Sequence, residues 1–137
     1  RPNEMSATVN GRSWSVLRNK TATANLSISI ASSSPKQYGY IGRTDETLNK
    51  NSIYGGFTYT TGVVNLDSFS NYWATYVDST GTAYPAKTGT LNITVIDSSH
   101  TKSPALDKLK ATFSFVTVSL LGVSYTVTNG YIDYEAK

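Results

Sequence analysis

Most of the chain alternates apolar and polar residues with a period of two, which is the pattern of a β-strand buried on one face. The alternation is clearest in residues 26–30, 91–95 and 109–115, where aliphatic or aromatic side chains take every second position and Ser, Thr, Asn or Lys take the others. A helix packed on a core would need an apolar period near 3.6 residues. The pattern therefore predicts antiparallel strands that are packed on one side and hydrated on the other.

Two Asn-Gly pairs, at residues 10–11 and 129–130, separate such segments. Asn-Gly favours a two-residue hairpin turn because both turn positions take positive φ. The first hairpin pairs Ala7 with Trp14, and the second pairs Val127 with Ile132. A slip of one residue would destroy the apolar match in both, so the sequence predicts two hairpins with defined registers.

Other turns are expected at Asp78–Gly81, at Thr88-Gly89 and at Gly122, where Gly or Asp separates strand patterns. Gly55-Gly56 interrupts a strand pattern, which indicates a bulge or bend, or alternatively a close approach of another backbone.

With 137 residues, the chain has the size of one domain, spanning residues 1–137. We expect an all-β antiparallel β-sandwich of about eight to ten short strands; a partly closed up-and-down, lipocalin-like β-barrel is the alternative.

Composition excludes several classes of function. The 12 Lys and Arg residues are scattered singly against 9 Asp and Glu, so no basic stripe is available for nucleic acid. The chain has no Cys and a single His, His100, which lies in a polar segment expected to be a loop. No apolar run approaches the length of about 20 residues that a transmembrane helix requires. We therefore assign no catalytic residue, metal ligand or cofactor, and we favour a non-enzymatic protein.

Carboxylates offer one enzymatic alternative. Glycoside hydrolysis needs two carboxyl groups about 5 to 9 Å apart in one cleft. Asp78 and Asp97 form the candidate pair for such a hydrolase, although an Asx turn accounts for Asp78 without catalysis. This hypothesis ranks third among the functions considered.

Aromatic residues form the main candidate binding surface. A dense aromatic run lies in the middle of the chain, and strand alternation sends Trp73 to one face and Tyr72 with Tyr76 to the other. Exposed Tyr and Trp side chains supply contact area and hydrogen bonds to glycans or proteins, whereas packing in a sheet explains the same residues without a ligand. The candidate ligand-binding residues are Tyr54, Tyr72, Trp73, Tyr76 and Tyr84.

A second binding hypothesis follows from the barrel alternative. In a barrel, Trp14, Phe113, Phe115 and Tyr125 would line an internal cavity for a small apolar ligand instead of filling a packed core.

The segment from Ala7 to Trp14, ATVNGRSW, resembles the start of a family of uncharacterised lipoproteins and secreted proteins of Bacteroidota, which begin with Ala, any residue, Ile or Val, Asn or Asp, Gly, two residues and Trp. Residues 89–94, 109–115 and 127–131 are similar to the closing hairpins of that family, with Ala111 where members often have Gly. The resemblance implies an all-β protein of the cell envelope, in the periplasm or at the cell surface. It also implies a tether through a lipidated Cys upstream of Arg1, and no assigned activity. With the aromatic run, it favours a binding or structural module for a glycan or a surface protein.

Overall fold

The computed structural model of the protein describes residues 3–18, 25–33, 36–44, 51–66, 71–98 and 106–135. Within these residues there are ten strands and no helix, so the prediction of an all-β antiparallel protein is confirmed. The strands are β1 (Glu4–Val9), β2 (Arg12–Leu17), β3 (Asn25–Ser33), β4 (Lys36–Arg43), β5 (Ser52–Thr58), β6 (Gly62–Asn65), β7 (Trp73–Val77), β8 (Ala83–Asp97), β9 (Lys108–Thr117) and β10 (Thr126–Glu135).

All ten strands belong to one antiparallel sheet that nearly closes into a barrel. The order along the sheet is β2-β1-β10-β9-β8-β7-β5-β4-β3, and β6 pairs with β8 beside this path. Strands adjacent in the sheet are mostly consecutive in sequence; the main exception is the pairing of β1 with β10, which joins the first and last strands. The topology is that of the up-and-down alternative, with one gap between the edge strands β2 and β3.

Side chains fill the gap between the two edges. Gly42 on β4 faces residues of β1 and β2 so closely that an added Cβ would lie 2.7 Å from Met5 Sδ and 2.8 Å from Trp14 Cη2. Across the same gap, Trp14 Nε1 donates a hydrogen bond of 2.8 Å to the backbone oxygen of Asn51. The edges are thus joined by packing and a side-chain hydrogen bond.

The interior of the sheet holds one apolar core. β9 confirms the predicted alternation, since Leu109, Ala111, Phe113 and Phe115 are all buried. The largest fully buried apolar side chains are Tyr38, Phe57, Phe115, Met5, Leu26, Ile53, Leu91, Ile93, Leu109, Ile132 and Val127.

The hairpin at Asn10-Gly11 is confirmed. Asn10 and Gly11 have φ values of 47° and 81°, and the register pairs Val9 with Arg12 and Ala7 with Trp14, as predicted. The positive φ at both positions is what the Asn-Gly sequence supplies.

The prediction of a hairpin at Asn129-Gly130 is wrong. Both residues lie inside the continuous strand β10, which pairs with β1 on one side and β9 on the other. Against each neighbour, β10 carries one extra residue in this region, and Asn129 has a φ of 52°. Asn129 therefore marks a β-bulge, the other use of a left-handed residue in a strand.

Two further expectations are corrected in β8. Thr88-Gly89 is not a turn, because β8 runs through it with an extra residue between Ala86 and Thr88. A second extra residue follows Ile93, so Val95 does not share the buried face of Leu91 and Ile93 and is 38% exposed. These bulges let one strand pair with β7 at its start and with β9 along most of its length.

The remaining glycine and turn predictions have mixed outcomes. β5 pairs with β4 and β7 through Gly55-Gly56 without a register shift, so the predicted bulge is wrong and the close-approach alternative holds. A Cβ on Gly55 would clash with the backbone oxygen of Trp73, and one on Gly56 would clash with the Trp73 ring. The turns at Asp78–Gly81 and at Gly122 are confirmed, with φ values of 88° at Gly81 and 76° at Gly122.

Candidate functional site

An open cleft of about 850 Å³ lies at one end of the nearly closed sheet, along the free edge of β2. Residues of the β1–β2 hairpin form one wall, and the end of β7 with the turn after it forms the opposite wall. Thr44 and Asn51, which follow β4 and precede β5, complete the lining together with Tyr125. The cleft therefore depends on the closure of the sheet, since its walls come from both sides of the gap.

Tyrosine rings form the aromatic side of the cleft. The ring centroid of Tyr125 lies 4.6 Å from that of Tyr76 and 4.9 Å from that of Tyr84. Tyr76 and Tyr84 are buried, whereas Tyr125 is half-buried and lines the cleft together with Tyr76. Contacts of this kind hold aromatic rings in fixed positions, so the cleft has a rigid aromatic wall.

Asp78 supplies the negative charge beneath this wall. Its Oδ1 accepts hydrogen bonds from the backbone N–H of Thr80 at 2.9 Å and of Thr82 at 3.0 Å, and from the Thr80 hydroxyl at 2.6 Å. Burial favours a raised pKa for Asp78, but these hydrogen bonds and one from Tyr84 outweigh it and lower the pKa. Asp78 is consequently ionised at neutral pH.

The charge of Asp78 also acts on the tyrosines. Burial, followed by the negative charge of Asp78 and hydrogen bonding to it, raises the pKa of Tyr84 and of Tyr125. Burial, the neighbouring Tyr125 and Asp78 raise the pKa of Tyr76. All three hydroxyls are therefore protonated at neutral pH and serve as hydrogen-bond donors.

Asn51 connects the walls. It has a φ of 51°, and its backbone oxygen accepts hydrogen bonds from Trp14 Nε1 at 2.8 Å and from the Thr44 hydroxyl at 3.0 Å. Its side-chain oxygen accepts a hydrogen bond of 3.4 Å from the Tyr76 hydroxyl, and its backbone N–H donates one of 3.4 Å to the backbone oxygen of Asp78. One residue in a left-handed conformation thus ties both sides of the gap to the aromatic wall.

The five predicted ligand-binding residues do not form a single surface. Tyr76 and Tyr84 belong to the tyrosine cluster of the cleft. Tyr54 and Trp73 meet edge to face, with ring centroids 5.6 Å apart and both residues half-buried, away from that cluster. Tyr72 is half-buried against the core, and its hydroxyl hydrogen-bonds Thr58. Of the five, the structure therefore places Tyr76 in the lining of the cleft and Tyr84 against the lining residue Tyr125.

The residues considered for an apolar cavity also separate. Phe113 and Phe115 stack in the core with ring centroids 6.3 Å apart, whereas Trp14 and Tyr125 line the cleft. Sequence reasoning missed Asn51, Arg12, Ser13 and Ser15 as cleft residues. The residues after the first Asn-Gly pair could have been placed beside the turn, but no local signal connects them to Asn51.

The proposed carboxylate pair is not brought together. Asp78 precedes β8, where its backbone N–H donates to the backbone oxygen of Thr82, and Asp97 is the last residue of that 15-residue strand. Among the described residues that line the cleft, Asp78 is the only carboxylate. His100 lies outside the described residues.

The described residues hold neither a metal-binding cluster nor a membrane-spanning helix. No cluster of three or more His, Cys, Asp or Glu side chains suited to a metal ion occurs in this part of the chain. The same residues include no helix with the length and apolar character needed to cross a bilayer.

Comparison of the chain with protein-family models, with curated proteins and with solved structures finds no match. We therefore infer function from the geometry of the molecule and from its sequence motifs.

Proposed function

We propose that the protein is a non-enzymatic binding module outside the cytoplasm and that the cleft beside β2 binds a saccharide. The observation that carries the proposal is that the half-buried ring of Tyr125, packed against Tyr76 and Tyr84, lines one open cleft together with exposed polar side chains. A sugar ring has an apolar face of C–H groups and a rim of hydroxyls. Aromatic rings match the face, and hydrogen-bonding side chains match the rim.

The polar groups suit this ligand class. The free edge of β2 exposes Arg12, Ser13 and Ser15 to the cleft. The guanidinium group donates hydrogen bonds, and the two serine hydroxyls both donate and accept them. Opposite them, the hydroxyls of Tyr84 and Tyr125 hydrogen-bond the ionised Asp78, which fixes the position of the aromatic side of the cleft. An apolar ligand would displace water from the exposed Arg12, Ser13 and Ser15 without replacing their hydrogen bonds, which favours a polar ligand over the apolar alternative.

The compartment is part of the proposal. The motif from Ala7 to Trp14 supports an exported protein of the Bacteroidota type, tethered by a lipidated Cys upstream of Arg1. In the fold, this motif forms the β1–β2 hairpin, which supplies one wall of the cleft.

Binding can be tested by following backbone amide shifts during titration with mixed soluble oligosaccharides and, in a separate series, with fatty acids. We expect saccharide shifts at Ser15, Asn51 and Tyr125. Ser15→Arg places a long charged side chain in the cleft from an exposed position, and we expect it to weaken saccharide binding at least about tenfold, since it blocks the site without disturbing the core.

Thr112→Arg is the matched control, because Thr112 is exposed on β9 and does not line the cleft. Unchanged affinity in Ser15→Arg together with lost affinity in Trp73→Ala would move the site to the surface of Tyr54 and Trp73 and refute the cleft. Shifts with fatty acids alone would favour the apolar-ligand hypothesis, and no shifts in either series would refute both.

A further inference from the structure

The turn between β9 and β10 exposes an apolar tip, formed by residues 118–123. Leu120 and Val123 exchange two backbone hydrogen bonds of 2.9 Å each, and the two residues between them have φ values of 53° at Leu121 and 76° at Gly122. This is a two-residue turn of the type that favours Asn, Asp or Gly at both central positions. Leucine is unusual there, because a bulky residue rarely takes positive φ.

Leu121 has no packing role that explains its presence. It is 103% exposed, and other apolar residues of the turn and of the adjoining end of β9 are more than a third exposed. These partly exposed residues are Val116, Val118, Leu120 and Val123. A group of exposed aliphatic side chains on a projecting turn is typical of a surface that contacts an apolar phase or a partner.

The charges of the described residues indicate whether the tip contacts an apolar phase or a protein partner. Asn10 accepts a hydrogen bond from the Thr126 N–H at 2.7 Å, so the β1–β2 hairpin with exposed Arg12 lies beside the base of the tip. Lys87 is exposed on β8 in the bulge opposite the end of β9, next to Val116. Two cations therefore flank the apolar tip.

Apart from Asp78, the carboxylates of the described residues lie away from the tip. Of the six in the described residues, Asp78 is buried and engaged in its turn. The other five lie at or near the opposite ends of β1, β8, β9 and β10: Glu4, Asp97, Asp107, Asp133 and Glu135. Around the tip, the described surface thus combines exposed aliphatic side chains with positive charge, which complements the apolar interior and anionic headgroups of a lipid bilayer.

We propose that residues 118–123 insert into the interface of a membrane that contains anionic lipids, with Leu121 entering the acyl region and Arg12 and Lys87 contacting headgroups. The insertion is shallow and reversible, because one short turn buries little apolar area. Leu121 does not line the cleft, so its replacement tests membrane insertion without changing the saccharide site, whereas Arg12 belongs to both surfaces.

Co-sedimentation with vesicles tests the proposal. The protein should bind vesicles of phosphatidylcholine with phosphatidylserine more tightly than vesicles of phosphatidylcholine alone, and less tightly in high salt. Leu121→Asn should lower the partition coefficient about tenfold or more, because it removes the inserted side chain. Asn also suits positive φ, so this variant is expected to fold at least as well as the wild type.

Val63→Asn is the matched control: Val63 is 68% exposed on β6, outside the tip, and its replacement should leave partitioning unchanged. Arg12→Gln combined with Lys87→Gln should remove the preference for phosphatidylserine. Absence of vesicle binding, or equal binding by wild type and Leu121→Asn, would overturn the proposal. So would a dimer that Leu121→Asn disperses in a protein that does not bind vesicles, since the tip would then mediate self-association.

Discussion

At the scale of single residues, the cleft is held by polar side chains that fix backbone segments. Asn51 accepts hydrogen bonds through its backbone and side-chain oxygens from two sides of the gap, and Asp78 Oδ1 holds the turn between β7 and β8. Buried polar groups stabilise a fold only when they are hydrogen-bonded, because desolvation must be offset. These two residues therefore maintain the cleft at the same time as they line it.

The lowered pKa of Asp78 predicts how stability responds to acid. A carboxyl group with a lower pKa in the folded state stabilises that state above its unfolded pKa of about 4, and this contribution disappears as pH falls through the folded pKa. Asp78→Asn should lower the free energy of unfolding at pH 7 by about 1 to 2 kcal/mol. The difference from wild type should then shrink in acid.

Urea unfolding of both proteins over a series of pH values measures this difference. Thr80→Val, which removes one donor and keeps the carboxylate, should show a smaller loss with the same trend. A difference between wild type and Asp78→Asn that is constant from neutral pH to strong acid would mean that the hydrogen bonds to Oδ1 do not depend on its charge.

At the scale of elements, the same dipeptide gave one confirmed and one wrong prediction. In a regular strand, Val127 and Ile132 would face opposite sides, since they are five positions apart. A hairpin at 129–130 brings them to one side, but a bulge that adds one residue does so equally well. The apolar pattern therefore could not distinguish the two, and the pairing of β10 with both β1 and β9 decided in favour of the bulge.

Alternation predicted the strands and their buried faces well wherever the pairing was regular, as in β9. It failed for Val95, where an extra residue in β8 reverses the faces. The candidate site was predicted less completely, because its walls meet only after the sheet curves. Trp14 and Asn51 are 37 residues apart, and no local pattern relates them.

The bulge in β10 predicts an asymmetry between its two residues. A Cβ on Gly130 would lie 2.4 Å from Phe113 Cδ1 and 2.5 Å from the Phe113 backbone oxygen. Gly130→Ala should therefore cost about 1 to 3 kcal/mol of stability, as overpacking does. Asn129→Gly should change stability by less than about 0.5 kcal/mol, because glycine accepts a φ of 52°.

Denaturant unfolding of the two variants provides the comparison, and Phe113→Leu in the Gly130→Ala background should recover part of the loss if the clash is with the ring. An unchanged unfolding midpoint in Gly130→Ala would place residue 130 on an exposed turn instead of against β9.

At the scale of the whole molecule, one end of the sheet carries the features from which we infer function. The cleft, the β1–β2 hairpin and the base of the apolar tip are adjacent there, since Asn10 lines the cleft and hydrogen-bonds Thr126. Most carboxylates of the described residues lie toward the other end. A molecule bound to a membrane by the tip would therefore hold its cleft near the bilayer surface.

Among the described residues, side chains join the two edges of the sheet, which predicts an uneven distribution of local stability. Amides on the edge strands β2 and β3 lack a strand partner across the gap, whereas β9 is paired on both sides and carries buried Leu109, Phe113 and Phe115. Local opening has the lowest free energy where backbone hydrogen bonds are exposed and apolar contacts are few. Hydrogen–deuterium exchange should therefore be faster in β2 and β3 than in β9.

Trp14→Phe, which removes the hydrogen bond to Asn51, should accelerate exchange in β2 and around Asn51 without changing exchange in β9. Equal protection of β2 and β9 in the wild type would contradict closure by side chains, because it would require backbone pairing across the gap.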